Sequence, residues 1–208
     1  MFFLPNEKEY LAVHKECKDY INKNCIVRNT LMPGKVPGTQ YTWMFYLRRG
    51  LLDKNFMNQL TKLFIYKVYH EIGNFDFQIT GLETGATPLV VALPILLQKF
   101  KIDVDSFIVR QERKSYGLQN WIEGVPNDKP CLIVDDLCNS SGSMRKAFDI
   151  ITKEEGLSFV PYVFTVVNKV NKNIHNQTRI NSDLYLPKEM KVIYLFDMDD
   201  FDLYNPSH

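Results

Sequence analysis

The chain has 208 residues, enough for one sizeable core and short for two, and its 45% hydrophobic and 24% charged content is ordinary for a globular domain. A net charge of +1 argues against a surface built to coat a polyanion, and no apolar run approaches the ~20 residues that cross a bilayer. The opening MFFLPNEKEY turns charged too soon for a secretory signal, so a cytosolic protein is expected. Cys17, Cys25, Cys131 and Cys138 form no C-x-x-C pair and no histidine cluster joins them, which favours reduced thiols over a zinc site.

In chain order, Glu7 to Lys23 places Tyr10, Leu11, His14, Cys17 and Ile21 at three-to-four spacing. That predicts an amphipathic helix at the edge of the core, with His14 on its surface. Cys25 to Leu47 carries Pro33-Gly34 and Pro37-Gly38 around a turn, then an aromatic strand-like segment. Leu51 to Ile72 reads as one helix with Leu52, Phe56, Leu60, Leu63, Phe64 and Val68 inward. Phe75 to Leu82 becomes the first sheet strand, followed by the small-residue loop Glu83-Thr84-Gly85-Ala86 and a helix from Leu89 to Phe100. This helix is apolar on most sides and is expected between layers.

A strand from Phe107 to Val109 then runs into a polar segment with Arg110, Arg113, Lys114 and Tyr116. After the central unit, Phe159 to Val167 is a buried strand ending at Asn168-Lys169, and Asn171 to Ser182 is an aperiodic polar loop. Lys191 to Phe196 makes a last strand, and the acidic end, 197–208, is expected as a surface tail.

Cys131 to Ile151 is the most informative stretch. CLIV is short, apolar and β-branched, as suits a strand covered on both faces. Asp135 and Asp136 stand at its end, then Asn139-Ser140-Ser141-Gly142-Ser143, then Met144, Ala147, Phe148 and Ile151 at helical spacing. Ligands of open α/β sheets bind at the carboxyl edge, where a helix N-terminus attracts phosphate. Adjacent carboxylates suit ribose hydroxyls or hydrated Mg²⁺, so a sugar phosphate is the implied ligand. The same residues are also what a simple N-cap with favourable dipole charges looks like. Cys138, inside this loop, reads as a small side chain that fits.

Apolar strand, two acids and a Ser/Gly loop together resemble the phosphoribosyl diphosphate (PRPP) motif of type I phosphoribosyltransferases. Three further stretches resemble orotate phosphoribosyltransferases in the same order. Gly81 to Leu89, GLETGATPL, is similar to a G-x-x-T-G-G-I-P-L loop, and Arg110 to Gly117 to an R-K-x-x-K-x-[HY]-G loop. Pro37 to Arg48 loosely resembles S-G-x-x-S-P-x-Y-x-D-L-R.

The resemblance implies an α/β fold: a mostly parallel central sheet flanked by helices, with a small N-terminal hood. It implies one domain, with residues 1–50 as helix and hood, 51–196 as core and 197–208 as acidic tail. It further implies Mg²⁺-dependent transfer of phosphoribosyl from PRPP to a pyrimidine base, orotate first, by a homodimer. A purine or other base, or a non-catalytic PRPP sensor, are the alternatives.

In that reading Asn139, Ser140, Ser141, Gly142 and Ser143 hold the 5′-phosphate. Glu83, Thr84, Gly85 and Ala86 hold the diphosphate, and Asp135 and Asp136 hold the ribose and, through water, Mg²⁺. Arg110, Lys114 and Tyr116 form the loop that covers the site, and Lys169, Tyr41 and Phe45 meet the base. Three positions depart from the pattern: Gln111 replaces a usual Lys, Ser141 a usual Gly, and Asn168-Lys169 a usual Asp-Arg. If the Ser141 position requires positive φ, serine is strained there or Gly142 takes over the role.

Overall fold

The computed structural model describes residues 4–33, 38, 40–113, 117, 120–169, 186–187 and 190–203. Helix α1 (Glu7–Asn24) begins with a reciprocal cap: Glu9 N donates to Asn6 Oδ1 at 3.0 Å, and Asn6 N donates to Glu9 Oε2 at 2.9 Å. Its buried stripe is Val13, Cys17 and Ile21, with Leu11 left exposed. His14 is not a plain surface residue. Its ring packs 4.5 Å from that of Phe196, and its Nε2 lies 2.9 Å from the Leu195 carbonyl.

Strands β1 (Ile26–Pro33) and β2 (Gln40–Phe45) pair antiparallel as the hood. The helix expected from Leu51 onward is two helices, α2 (Arg48–Leu51) and α3 (Lys54–Ile72). Asp53 breaks it, because its Oδ1 accepts from Asn55 N and Phe56 N at 2.9 and 2.8 Å and starts α3 afresh. Leu52, placed inward by the spacing, is therefore 76% exposed, while Phe56, Leu60, Leu63, Phe64 and Val68 are buried as expected.

The remaining elements are β3 (Gln78–Leu82), α4 (Thr87–Leu97), β4 (Ser106–Val109), β5 (Ile122–Glu123), β6 (Cys131–Cys138), α5 (Gly142–Asp149), β7 (Phe159–Asn168) and β8 (Lys191–Asp197). Among the described residues they build a six-stranded sheet of order β5-β4-β3-β6-β7-β8, parallel except for β5. Strand β6 is buried on both faces, which is why its sequence is continuously apolar before the acids. Leu132 and Val134 face the core shared with α1, α3 and α4, whereas Cys131 and Ile133 face the core shared with α5. The parallel α/β architecture with a small antiparallel hood agrees with the sequence expectation.

Two expectations change. Helix α4 is not enclosed: Val91 and Ile95 are exposed, the latter by 62%. The acidic end is no surface tail as far as residue 203, since Phe201 and Leu203 are buried and the Asp202 carbonyl accepts two bonds from Arg28, at 2.9 and 2.6 Å. Apolar residues between the acids supply the driving force, and Phe201 stacks edge-on against Phe45 at 5.4 Å. No helix among the described residues is long and apolar enough to cross a membrane.

Replacing Phe201 by Ala should therefore destabilise the fold by about 3 kcal/mol or more in chemical denaturation. A change within ~0.5 kcal/mol would return this segment to the surface.

Candidate functional site at the carboxyl edge of the sheet

Strands β3 and β6 are parallel neighbours, yet the chain leaves them in opposite directions, β3 toward β4 and β6 toward β7. That divergence is a topological switch point, and it opens a crevice at the carboxyl ends of the two strands. The loop 83–86 leaves β3 on one side and the loop 139–141 leaves β6 on the other. Approach is close. A methyl at Gly81 would collide with the Ala86 side chain and the Val134 carbonyl, so only glycine fits where the two strands and the loop meet.

Asp135 and Asp136 continue β6 into this crevice, the strand running on to Cys138. Asp135 is 7% exposed, and its Oδ1 accepts from Asp136 N at 2.9 Å. Burial, and then the charge of Asp136 beside it, push Asp135 well above the usual carboxylate range. Burial also raises Asp136, against the opposing pull of hydrogen bonds and of the Arg48 guanidinium. Across the crevice, a Cβ on Gly85 would sit 2.9 Å from Asp135 Oδ1 and 3.1 Å from Asp136 Oδ1. The missing side chain leaves the backbone of that loop directly opposite two carboxylates.

In the 83–86 loop, Glu83 N donates to the Val109 carbonyl at 2.8 Å and Ala86 N to the Leu82 carbonyl at 3.3 Å. Those bonds fix the ends and leave Thr84 and Gly85 at the rim; the Glu83–Thr84 peptide is cis. The Glu83 carboxylate accepts from Gln111 N at 2.9 Å, joining this loop to the start of the basic segment. Arg110 binds Glu123 at 2.9 Å through Nη1 and the Glu112 carbonyl at 3.2 Å through Nε. Lys114 and Tyr116 lie outside the described residues.

Ser141 carries the backbone conformation that the sequence left open. Its φ and ψ are 56° and 11°, left-handed, and Gly142 simply begins α5. The hydroxyl turns inward, 3.3 Å from Cys138 Sγ, so no side chain caps the helix there. Asn139, Ser140 and Ser143 are exposed around the uncapped start of α5, where a helix N-terminus favours an anion.

Lys169 follows the end of β7, and its amide donates to the Cys138 carbonyl at 2.7 Å, which sets it beside the 139–141 loop. Its ammonium lies 4.7 Å from the Trp43 ring centroid and 5.7 Å from that of Tyr41. Burial pulls its pKa down. Phe45 is buried at the root of the hood and packs on Trp43 and Phe201. Sequence reasoning missed Trp43 and Arg48. The first shares a strand face with Tyr41 and Phe45 by two-residue alternation, and the second ends the hood pattern; both were legible.

The carboxyl-edge acid pair between two small-residue loops, on this sheet, is the arrangement that the resemblance to type I phosphoribosyltransferases implies. No family model matches the chain. It is 29% identical over 148 residues to the orotate phosphoribosyltransferase of Leptospira biflexa, covering 70% of this chain and 79% of that protein. It is 31% identical over 127 residues to that of Methanocaldococcus jannaschii, covering 61% and 68%. The chain belongs to the orotate phosphoribosyltransferase family.

Solved structures agree in fold. The Mycobacterium tuberculosis orotate phosphoribosyltransferase superimposes with a TM-score of 0.69 at 19% identity, over 90% of this chain and 98% of that one. Its complex with PRPP gives 0.59 at 15% identity, over 94% and 92%. Saccharomyces cerevisiae adenine phosphoribosyltransferase gives 0.58 at 15%, over 89% and 99%.

Two predictions follow from the geometry of this site. Ser141→Gly should raise stability by about 1 kcal/mol in denaturant titration, because glycine accepts positive φ without strain. Asp135→Asn should raise the Tm of the ligand-free protein at pH 7.5. The folded pair binds protons more tightly than an unfolded carboxylate of pKa ~3.9, so its ionisation weakens the fold as pH rises. The gain from Asn should shrink as the pH is lowered toward 4, and a pH-independent gain would contradict this origin.

Proposed function

We propose that this chain transfers the phosphoribosyl group of PRPP to orotate and releases pyrophosphate. The observation that carries the reading is the acid pair facing Gly85 across the crevice between β3 and β6, in a chain of this family. Fold alone does not choose the base, since an adenine phosphoribosyltransferase shares it. The sequence relatives favour orotate.

In this reading the amides of α5, with Asn139, Ser140, Ser141, Gly142 and Ser143, take the 5′-phosphate. The inward Ser141 hydroxyl shapes the loop and contributes no side-chain ligand. Asp135 and Asp136 accept hydrogen bonds from the ribose hydroxyls, and the backbone around Thr84 and Gly85 receives the diphosphate, with Glu83 and Ala86 anchoring the loop. Hard carboxylate oxygens opposite a bare glycine suit Mg²⁺ held through water by Asp135 and Asp136. When bound, Mg²⁺ supplies positive charge against the leaving diphosphate.

Orotate N1 bonds to the anomeric carbon as the bond from that carbon to the diphosphate oxygen breaks. The electron pair of the broken bond leaves with pyrophosphate, and the N1 proton passes to the departing diphosphate or to water. The oxocarbenium-like charge that develops lies near the two aspartates, and no protein nucleophile is required. Arg110 and Lys114 stabilise the departing diphosphate, Tyr116 helps cover the site, and Lys169 with Tyr41 meets the base. Phe45 supports the hood from the core. Lys114 and Tyr116 take these roles from the sequence pattern.

The second copy of a homodimer would cover the groove of about 820 Å³ between α2, α3 and α4. Leu52, Val91 and Ile95 expose apolar surface there, next to Thr84 at the rim of the site.

Purified protein given Mg²⁺ and PRPP should release pyrophosphate with orotate and much less with uracil, which lacks the carboxylate. Release only with a purine would move the acceptor, and PRPP binding without release for any base would end the enzyme reading. Lys114→Ala should lower kcat by about 10²-fold or more while leaving the fold intact by circular dichroism. Ile95→Glu should convert a sedimenting dimer to monomer, and an unchanged dimer would place the interface elsewhere.

A further inference from the structure

A lysine is a poor substitute for arginine where a planar carboxylate must be gripped. Its ammonium is a point charge on four rotatable bonds, without the fixed fork that meets two oxygens at once. The chain nevertheless has Lys169 at the carboxyl end of β7, beside the 139–141 loop. Something else must supply the orientation that the fork would have supplied.

We propose that Trp43, aided by Tyr41, is the positioning residue that holds Lys169 for the carboxylate of the acceptor base, and so sets the selectivity for a planar, carboxylated base. The inference rests on the orotate reading above.

Both ends of Lys169 are held. Its amide is bound to the Cys138 carbonyl at 2.7 Å, and its ammonium lies over the Trp43 ring at 4.7 Å, with Tyr41 at 5.7 Å. Both distances are within reach of a cation–π attraction, which is strongest for tryptophan. The two rings stand two residues apart on β2, hence on one face of the strand.

The ring that holds the lysine is itself fixed. Trp43 meets Phe45 edge-on at 5.7 Å and 82°, and buried Phe45 meets Phe201 at 5.4 Å. Opposite Trp43 in the hood register stands Arg28, whose guanidinium binds the Asp202 carbonyl and the Asn22 side chain. The ammonium thus rests on a rigid stack that reaches the core. Partial burial lowers the pKa of Lys169, so an incoming anion meets a cation that has already lost part of its water. Less side-chain entropy then remains to be lost on binding.

The test is a double-mutant cycle between Trp43 and Lys169, read as KM for orotate, KM for PRPP and kcat. Trp43→Leu should raise the orotate KM about tenfold and leave the PRPP KM and kcat within twofold. Trp43→Phe, which keeps a π face, should recover most of that loss. In a Lys169→Met background the Trp43→Leu change should have no further effect. Tyr41→Leu, at an exposed residue that also meets the base, should raise the orotate KM less, and the part of that rise that acts through Lys169 should disappear in the Lys169→Met background.

An equal effect of Trp43→Leu with and without Lys169, or parallel rises in both KM values, would make the ring structural only and overturn the inference. Normal orotate turnover with an unchanged orotate KM in both ring variants would also overturn it, while leaving the acceptor assignment standing. Failure of the unaltered chain to use orotate would remove the assignment and the inference together.

Discussion

The parallel pairing of β3 with β6, with the chain departing from them in opposite directions, is the constraint on which the rest depends. Hydrogen bonds between Gln78–Thr80 and Cys131–Ile133 fix how far each strand projects at the carboxyl edge. That register brings Gly85 opposite Asp135 and Asp136, and Gly81 against the Val134 carbonyl. A one-residue slip would turn the acids to the wrong faces of the sheet. The buried, continuously apolar strand is therefore the ruler from which a polar site is measured.

The same edge accumulates features that oppose folding. A buried carboxylate, Asp135, stands beside a half-buried one, Asp136, and a serine adopts a left-handed backbone at the start of a helix. Each is unfavourable in the free protein and is tolerated because β6 is covered on both faces by two cores. On the function proposed above, a site for a charged sugar phosphate would use both: carboxylates with little water to compete for a ligand, and helix amides left without a side-chain cap. Stability and ligand recognition are here opposed at the same residues.

The hood links parts of the chain that are remote in sequence. Arg28 on β1 and Phe45 on β2 dock onto the segment after β8, while Trp43 and Tyr41 on the same hairpin reach Lys169 after β7. An acidic-looking chain end thereby supports the element that lies over the site. The aromatic residues do this because flat, stiff side chains transmit position with few rotamers to lose.

The sequence by itself determined the strand and helix units, the small-residue loops and the acid pair, because these depend on local periodicity and on residue size. The GLETGATPL and CLIVDDLCNSSG segments were legible as small-residue loops at strand ends, while the choice of Ser141 over Gly142 for the left-handed backbone was left open by the sequence. The helix break at Asp53, the open apolar side of α4 and the burial of Phe201 and Leu203 were decided only by the tertiary structure. Each turns on which distant surface is available to cover a side chain, and periodicity carries no record of that. The grouping of Trp43, Tyr41 and Lys169 belongs to the same class: about 125 residues separate the rings from the amine, and only the docking of the hood across the sheet edge brings the charge to the π faces.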